Sequence, residues 1–251
     1  MDLSKCKIKA RGIHKSYQSK EKSIQVLEDM SLDVYENEFL VLLGPGQCGK
    51  TVFLNILAGL EGADSGTIEF PAKPYKYGEI GFVFQRYALF PWKSVLDNVQ
   101  MNQRFHGVDK KTREENARKF IDLVGLKGFE KAYPAQLSGG MKQRVGIARA
   151  YASNTDLILM DEPFGALDAQ TRYQMQDEIL KIWEKEKVTV VFVTNNIEEA
   201  VTLGDRIVLM SNKPSRVVKE YIPDMPRPRN NTDTAFLKLR NEIADAMDLA
   251  L

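Results

Sequence analysis

The chain has few of the residues that mark specialised classes of protein. Its two cysteines, Cys6 and Cys48, are too few for a disulfide framework or a zinc site, so we expect free thiols in a reducing compartment. Its 35 basic and 34 acidic residues give a net charge of only +1. This balance offers no electrostatic footprint for nucleic acid or for an anionic membrane surface, and no nucleic-acid partner is expected.

Long apolar runs are also missing. No run approaches the roughly 20 residues that a helix needs to cross a bilayer, and Met1 to Cys6 contain no apolar signal core. The sequence therefore predicts a chain that stays in the cytoplasm and reaches a membrane only through a partner. The 251 residues, 43% of them hydrophobic, are enough for one domain with a sizeable core and a subdomain.

The rest of the chain is arranged around the stretch GPGQCGKT. Two glycines separated by four residues, then lysine and a hydroxyl residue, form the phosphate-loop pattern. An apolar strand precedes it and helix-spaced apolar residues follow it, as the motif requires. Backbone N–H groups and the helix N-terminus would hold a polyphosphate, Lys50 would reach its β- and γ-phosphates, and the Thr51 hydroxyl would ligate Mg²⁺. The loop residues are Gly44, Pro45, Gly46, Gln47, Cys48, Gly49, Lys50 and Thr51.

Two further strands end in polar residues. The apolar strand 157–160 runs into Asp161 and Glu162, and two carboxylates at such a strand end are unfavourable unless they serve metal and water. Asp161 would hold Mg²⁺ through the ion's coordination shell, and Glu162 would orient and polarise an attacking water. Gln85 follows the strand 79–84, where its amide either bonds Mg²⁺ and water or is simply a solvated polar group.

The remaining pattern predicts an α/β fold. Strands alternate with helices after residue 157, which indicates a mostly parallel sheet. Residues 7–43 alternate as short strands, broken by polar turns at 18–23 and 36–37, and indicate antiparallel pairing. No strand interrupts 94–152, which includes a predicted helix over 95–105, so we expect a helical subdomain inserted into the sheet. Prolines at 223, 226 and 228 predict a linker before an amphipathic helix over 235–249.

Two local features leave two interpretations each, and a third offers a second set of N–H groups for an anion. Tyr17 is either a packing residue on a strand face or a platform on which an adenine ring stacks. The aromatic segment 87–92 is either core or a docking surface for a partner helix. Ser138 caps a helix entered at Gly139 and Gly140, whose free N–H groups would accept an anion, although Ser-Gly-Gly alone is weak evidence.

With these pieces in order, the octet LSGGMKQR at 137–144 resembles the signature motif of the nucleotide-binding subunit of ABC transporters. The resemblance covers nearly the whole chain. It implies a P-loop NTPase (RecA-like) fold with a mostly parallel core sheet, an N-terminal antiparallel β subdomain and an inserted helical subdomain. It implies an ABC ATP-binding domain over 1–222 with its helical subdomain at about 88–152, followed over 223–251 by a linker and a C-terminal helix.

The family packs two such domains head to tail, with each ATP between one chain's phosphate loop and the other chain's signature helix. The resemblance implies ATP and Mg²⁺ as ligands, Tyr17 as the adenine platform, Gln85 as the link to the permease, Glu162 as the catalytic base and Asp168 as a cross-dimer contact. The implied metal ligands are Thr51, Gln85 and Asp161. The implied signature contacts to the partner's ATP are Leu137, Ser138, Gly139, Gly140, Met141 and Gln143.

The partners implied are a second ABC ATPase subunit, identical or not, a transmembrane permease, and indirectly an extracytoplasmic solute-binding protein. The chain would lie on the cytoplasmic face of the membrane through that permease, near whose coupling helix the segment 87–92 would lie. The segments 84–92, 164–168 and 226–229 look like the importers for nitrate, sulfonates, taurine or bicarbonate. Together they indicate import of a small anionic solute.

The sequence departs from the family pattern in three places on the nucleotide side, one of which is Val52, at a position that is often threonine. A histidine usually contacts the γ-phosphate after the last core strand, but here Asn195 stands in its place, and the only histidines, His14 and His106, precede the signature. Asparagine donates a hydrogen bond but carries no charge and relays no proton. The loop has Gly46-Gln47 where the family commonly shows Ser-Gly. If position 47 needs a positive φ, glutamine costs on the order of 1 kcal/mol or more there.

These departures leave two hypotheses open. The chain is either a working ATPase or the degenerate half of a heterodimer that supplies its intact signature to a catalytic sister subunit. A remote alternative is a soluble P-loop NTPase unconnected with transport. A small-molecule kinase or a GTPase would share the loop but not the signature octet. Soluble ABC proteins of DNA repair or translation would need a coiled-coil insertion or tandem domains, which the chain lacks. The many phosphate-directed groups argue against a structural scaffold.

Overall fold

The computed structural model describes residues 5–18, 22–76, 78–165 and 167–249. In chain order the elements are β1 (Cys6–Gln18), β2 (Ser23–Tyr35), β3 (Phe39–Leu43), α1 (Lys50–Leu57), β4 (Ser65–Glu69), β5 (Gly81–Val83), α2 (Val95–Val99), α3 (Met101–Phe105), α4 (Lys110–Leu123), a 3-10 turn (Pro134–Gln136), α5 (Gly139–Ala152), β6 (Leu157–Asp161), α6 (Ala169–Glu186), β7 (Thr189–Thr194), α7 (Ile197–Leu203), β8 (Arg206–Met210), β9 (Val217–Tyr221) and α8 (Thr234–Leu249). Part of the predicted turn at 18–23 lies outside the described residues. The contacts divide the chain into two units, residues 1–75 with 189–251, and residues 76–188.

The first unit contains two groups of strands. β2, β1 and β4 form an antiparallel sheet in that order. β3 pairs in parallel with β7 on one side and with β8 on the other, and β9 closes on β8 as an antiparallel hairpin. Every residue of β3, β7 and β8 is buried, which is why these strands read as continuous apolar runs rather than as alternating ones. The predicted antiparallel pairing of the N-terminal strands is confirmed for β1 and β2, whereas β3, at the end of the stretch 7–43, pairs in parallel.

The second unit combines two parallel strands with most of the helices. β5 pairs with β6 from Gly81 opposite Ile158 to Val83 opposite Met160. Helices α2 to α5 come between β5 and β6 in the sequence, and they pack against one another. No strand occurs among the described residues from 94 to 152. The prediction of a helical region inserted into an α/β fold is therefore confirmed.

The predicted single helix over 95–105 is wrong in one respect, because the structure divides it at Gln100 into α2 and α3. The side chain of Gln100 is held by two neighbours: its Nε2 donates to Asp97 at 2.9 Å, and its Oε1 accepts from Arg113 Nε at 2.9 Å. Asn98 is fully buried and donates to the carbonyl groups of Lys93 and Ser94 at the start of α2. These polar contacts fix the turn between the two short helices.

A buried ion pair lies in the first unit, at the start of β3. Arg206 Nε donates to Glu38 Oε1 at 2.8 Å, and Arg206 Nη2 donates to Glu38 Oε2 at 3.2 Å. Glu38 Oε2 also accepts from the backbone N–H of Tyr35, while Arg206 Nη1 reaches Glu220 at 2.7 Å. Glu38 is 0% exposed and Arg206 is 4% exposed. The pair joins the turn before β3 to the neighbouring strand β8 and to β9.

None of the described helices combines the length and the apolar character that a bilayer crossing requires.

Candidate phosphate-binding site

The phosphate loop leaves β3 at Gly44 and enters α1 at Lys50. A Cβ on Gly44 would lie 3.0 Å from the carbonyl oxygen of Met210. Gly49 has a φ of 126°, and a Cβ there would lie 2.9 Å from Val26 Cγ1. Both positions therefore need glycine, one because backbone approaches closely and the other because of its backbone conformation as well.

Lys50 is held inside this loop. Its Nζ donates to the carbonyl oxygens of Gly44 at 2.9 Å and of Pro45 at 2.6 Å, and the residue is only 3% exposed. Cys48 is buried and its Sγ lies 3.9 Å from the same Nζ. Within the described residues no side chain caps the N-terminus of α1. The first N–H groups of a helix have no acceptor inside the helix, which is why a helix N-terminus suits an anion. Thr51 follows in the first turn of α1 and is exposed.

Strand register brings Asn195 to the phosphate loop. Leu43, the last residue of β3, pairs with Thr194, the last residue of β7. Gly44 and Asn195 therefore emerge side by side from the carboxyl ends of two parallel strands, the edge at which open α/β sheets bind ligands. Asn195 is exposed at this edge.

In the second unit, parallel pairing brings Gln85 and Glu162 together in the same way. Gln85 Nε2 donates to Glu162 Oε2 at 3.1 Å. Asp161 ends β6 and is 4% exposed, whereas Glu162 takes a left-handed φ of 41° that turns the chain out of the strand. A non-glycine residue with this backbone conformation is strained, and such strain is concentrated at functional positions.

The signature octet starts α5 in the same unit. Ser138 is the N-cap, and its Oγ accepts from Met141 N at 3.3 Å, as the sequence predicts. A Cβ on Gly139 would lie 2.7 Å from Tyr87 Oη, and one on Gly140 would lie 3.2 Å from Thr171 Cγ2. The octet therefore packs against both the aromatic segment and the start of α6. Leu137 and Gln143 are buried, whereas Ser138 is exposed.

Asp168 caps α6 beside that contact. Its Oδ1 accepts from Thr171 N at 3.0 Å and its Oδ2 accepts from Thr171 Oγ1 at 2.7 Å. The backbone hydrogen bond from Thr171 lowers the pKa of Asp168, which is thus ionised at neutral pH. The residue itself is exposed.

Tyr17 has a partner that the sequence did not point to. Its Oη donates to the Glu61 carboxylate just after α1, and the Lys15 ammonium lies 5.5 Å from the ring centroid. Burial, and then the hydrogen bond and charge of Glu61, raise the pKa of Tyr17 to about 12. The hydroxyl end of Tyr17 is thus held in place, while 41% of the residue remains exposed.

A cavity of about 440 Å³ opens in the second unit. Its apolar lining includes Phe82, Phe84, Phe90 and Phe105, and Arg149 contributes a charged group. Arg149 Nη1 donates to the carbonyl oxygen of Ala88 at 2.7 Å, and burial lowers the pKa of this guanidinium. The aromatic segment that the sequence left open therefore contributes to the wall of a cavity.

Thr51, Gln85 and Asp161 offer hydroxyl, amide and carboxylate oxygen atoms, the ligand chemistry that Mg²⁺ prefers. Across the described residues, no group of three or more His, Cys, Asp or Glu side chains is placed to hold a metal ion alone. Oxygen donors of these kinds suit an ion that arrives with a polyphosphate and takes few ligands from the protein.

Comparison with known proteins decides the family. The family model described as ABC transporter matches residues 27–165. The chain is 46% identical over 248 residues to the uncharacterized ABC transporter ATP-binding protein MJ0412 of Methanocaldococcus jannaschii, covering 98% of this chain and 93% of that protein. The chain belongs to the ABC transporter family. It is an ATP-binding subunit whose activity is that of an ATPase, and the predicted family and P-loop NTPase fold are confirmed.

Two further relatives and one solved structure are also similar to this ABC ATPase. It is 43% identical to the taurine import ATP-binding protein TauB of Rhizobium johnstonii, with 88% of each chain covered. It is 40% identical to the aliphatic sulfonates import ATP-binding protein SsuB of Bacillus cereus, with 92% of each covered. The dimeric structure of MJ0796, described as a bacterial ABC transporter cassette, matches with a TM-score of 0.77 at 32% identity, covering 86% of this chain and 98% of that chain.

The phosphate loop of this ABC ATPase has backbone strain at Gln47. Gln47 has a φ of 62°, so the left-handed conformation falls on the glutamine, whereas a Cβ on Gly46 would meet nothing within 4 Å. Gly46 is therefore placed where glycine is not needed, and Gln47 is placed where it would be preferred. Position 47 therefore does have a positive φ, and the conformational cost of about 1 kcal/mol that the sequence predicts for glutamine in that case applies.

We expect Gln47→Gly to stabilise the chain by about 0.5–1 kcal/mol, because relief of the left-handed strain exceeds the entropy that glycine loses on folding. The midpoint of thermal unfolding should rise by roughly 1–4 °C. Gln47→Ala is the matched control, since it shortens the side chain but keeps the Cβ, and it should show no such rise. Equal midpoints for the parent and Gln47→Gly would contradict the explanation.

Contacts that join distant stretches were missed at the level of sequence. Glu61 is 44 residues from Tyr17, and nothing in its own neighbourhood marks it as a partner. In the sequence, Tyr87 stands out only as part of an aromatic segment, although its hydroxyl lies against the signature. In the sequence, Arg227 and Arg229 stand out only as part of a subfamily feature, and their repeated Pro-Arg pattern is the one signal that points to them.

Proposed function

We propose that this ABC ATPase drives the import of a small organic sulfonate through a separate membrane permease. The similarity to import ATP-binding proteins for taurine and aliphatic sulfonates, which extends over about nine-tenths of the chain, carries the proposal. In this proposal the ABC domain covers residues 1–222 with its helical subdomain at about 88–152, and residues 223–251 follow as a linker and a helix.

The nucleotide would be held by groups of the first unit. Tyr17 would stack on the adenine, Lys50 would leave its carbonyl partners for the β- and γ-phosphates, and the N–H groups of α1 would donate to phosphate oxygens. Asn195 would donate a hydrogen bond to the γ-phosphate, as its position beside Gly44 supports. Bound through Thr51, Gln85 and Asp161, Mg²⁺ would neutralise charge on the phosphate oxygens.

Hydrolysis would depend on Glu162. Its carboxylate would accept a proton from the attacking water and orient that water toward the γ-phosphate. The amide of Gln85 donates to this carboxylate and so restricts its position. Gln85 begins the segment that leads to the aromatic cavity. A movement of that segment would therefore change the position of the Glu162 carboxylate.

The complete site would need a second ABC ATPase chain packed head to tail. The exposed Ser138 and the N–H groups at the start of α5 would donate to the γ-phosphate of the partner's ATP, and Asp168 would contact the partner chain. The seven-residue stretch from Leu137 to Gln143 would thus act in trans. Closure of the dimer on two ATP molecules would be the movement that is passed to the permease.

The apolar cavity would receive a cytoplasmic helix of that permease, with segment 87–92 forming part of its wall. The chain would then lie at the cytoplasmic face of the membrane. An extracytoplasmic solute-binding protein would select the sulfonate and deliver it to the outer side of the permease.

The test is uptake of labelled taurine and a labelled alkanesulfonate by cells in which this chain is inactivated. We expect uptake of at least one of them to be lost, to return with the parent chain and not to return with Lys50→Ala. Nitrate and bicarbonate uptake, measured in the same cells, identify a different anion if they fall instead. Unchanged uptake of all four solutes would contradict the import proposal and favour a P-loop NTPase without a role in transport.

A second candidate is supported by Asn195 and Gln47. In it the chain is the poorly hydrolysing half of a heterodimer and completes the site of a catalytic sister subunit with its own signature. Steady-state ATP hydrolysis by the chain alone at high concentration separates the two candidates. Turnover that depends on Glu162 excludes the degenerate half, whereas ATP binding without turnover supports it.

A further inference from the structure

Two arginines near the C-terminus hold the carboxyl end of α7. Arg229 Nη1 donates to the carbonyl oxygens of Val201 at 2.6 Å and Gly204 at 2.7 Å, and its Nε donates to Met225 at 3.1 Å. Val201 lies in the last turn of α7 and Gly204 is its C-cap. A helix leaves its last carbonyl groups without partners inside the helix, and here a side chain from 25 and 28 residues away supplies them.

Arg227 adds to the same end. Its Nη2 donates to the carbonyl oxygen of Leu203, and its Nη1 forms an ion pair with Asp205 Oδ1 at 2.6 Å. Asp205 in turn accepts from the backbone N–H of Phe39 through Oδ2 at 2.9 Å, and its own N–H donates to the Phe39 carbonyl at 2.8 Å. The arginines therefore join the end of α7 to the first residue of β3, the strand that leads into the phosphate loop.

The other end of α7 is fixed by its own residues. The Asn196 side chain is the N-cap and accepts from Glu199 N at 3.1 Å. Thr194 Oγ1 donates to Glu199 Oε2 at 2.6 Å and accepts from Asn196 N at 3.0 Å. In the chain, Asn195 thus lies between the end of β7 and a short helix of seven residues, about 10 Å long. A helix of this length moves as one body, so the position of its carboxyl end affects the residue before its N-cap.

The positive charges of the two arginines also stabilise the carboxyl end of α7. α7 has two acidic residues in its first turn and no basic residue in its last turn, so the negative end of its dipole is met by the tail and not by the helix itself. Burial, and then the neighbouring charge of Arg227, lower the pKa of Arg229 to about 10. Arg229 is therefore still protonated at neutral pH.

We propose that Arg229, assisted by Arg227, is a positioning residue for the nucleotide site: by fixing α7 it sets Asn195 for contact with the γ-phosphate. The proposal rests on the function proposed above for Asn195. It assigns to the segment 225–229 a role in distinguishing ATP from ADP, although no atom of that segment belongs to the phosphate loop or to its edge of the sheet.

The experiment measures the ratio of the dissociation constants for Mg-ADP and Mg-ATP in the full chain carrying Glu162→Gln, so that hydrolysis does not interfere. This equilibrium ratio reports contacts to the γ-phosphate whether or not the site turns over. We compare four chains on that background: the unaltered one, Asn195→Ala, Arg229→Ala and the double variant. We expect Asn195→Ala to lower the preference for ATP about tenfold and Arg229→Ala about threefold or more.

Non-additivity is the decisive result. If Arg229 acts through Asn195, the double variant should show no greater loss than Asn195→Ala alone. Losses that multiply, or an Arg229→Ala chain with the unaltered ratio, would overturn the positioning role and leave the role of Asn195 intact. An unaltered ratio in Asn195→Ala would overturn both that role and the inference built on it.

Two controls separate positioning from general loss of structure. Arg11→Ala removes an arginine of the same unit that donates to Ala10 and Asp33 on the β1–β2 sheet, and it should leave the ratio unchanged. Affinity for Mg-ADP should be retained in Arg229→Ala, because Tyr17 and the phosphate loop are not altered. If Arg229→Ala does not fold, Arg229→Lys, which keeps the charge and fewer hydrogen bonds, is tested in the same cycle with a smaller expected loss.

Discussion

Glutamine in place of Glu162 is expected to lower steady-state Mg-ATP hydrolysis by about 10²- to 10⁴-fold, the usual contribution of a positioned general base. The substitution removes the group that accepts the proton and keeps the shape of the side chain. Its amide oxygen still accepts from Gln85 Nε2, so the structure around it should persist. ATP binding should therefore be retained while phosphate release falls, which is measured with the isolated chain at high concentration.

The control for this substitution is Glu184→Gln, the same chemical change on an exposed face of α6. It should leave turnover unchanged. If the parent chain turns over and Glu162→Gln is equally active, Glu162 is not the base. If neither chain releases phosphate although both bind ATP, the site is that of the degenerate half, and the assay is repeated with a sister subunit added.

Local motifs explain how much of this site could be predicted from the sequence. The phosphate loop and the signature are short contiguous patterns, and each one fixes its own backbone: Gly49 needs a positive φ, and Ser138 caps the helix it begins. Parallel strands also let the sequence predict meetings over a distance, because polar residues that follow adjacent strands emerge at one edge. Gln85 and Glu162 are 77 residues apart and still meet in this way.

Contacts made by isolated side chains could not be predicted in the same way. Glu61 reaches Tyr17, and Arg229 reaches Val201, through single hydrogen bonds that leave no periodic pattern in the sequence. Helix boundaries had the same weakness. The helical spacing over 95–105 was recognised, but the turn at Gln100 is fixed by contacts to Asp97 and Arg113 that the spacing does not reveal.

Backbone conformation was predictable only as a condition. The sequence predicts a conformational cost for Gln47 if its φ is positive, and in the structure its φ is 62°. It gave no reason to expect the left-handed backbone at Glu162, because glutamate after a buried strand has no such preference. Glycine patterns thus identify the strained positions of a loop better than they identify a strained catalytic residue.

The buried pair of Glu38 and Arg206 was also invisible in the sequence, and it leads to the largest expected loss of stability. Burial raises the pKa of the Glu38 carboxyl despite the opposing effect of Arg206. Burial by itself also opposes the charged guanidinium, but the hydrogen bonds and charges of Glu38 and Glu220 raise the pKa of Arg206. The pair is thus one in which each charge is tolerated because the other is present.

We expect Arg206→Leu to lower the free energy of unfolding by about 3–5 kcal/mol, because it leaves the Glu38 carboxylate buried without its cation. Denaturant unfolding measures the loss. The double variant Glu38→Leu with Arg206→Leu should recover a large part of it, since both charges are then removed together. Lys219→Leu, which removes an exposed partner of Glu242, is the control and should have a far smaller effect.

The loss in Arg206→Leu should depend on pH in a defined direction. A carboxyl whose pKa is raised in the folded state contributes stability below its ordinary pKa, here 4.5, and that contribution is lost as the pH rises through the folded value. Without Arg206 the pKa of Glu38 should rise further, so the deficit should be larger at pH 8 than at pH 5. A deficit that is equal at both values, or larger at pH 5, would mean that the loss comes from packing and not from an unpaired carboxylate.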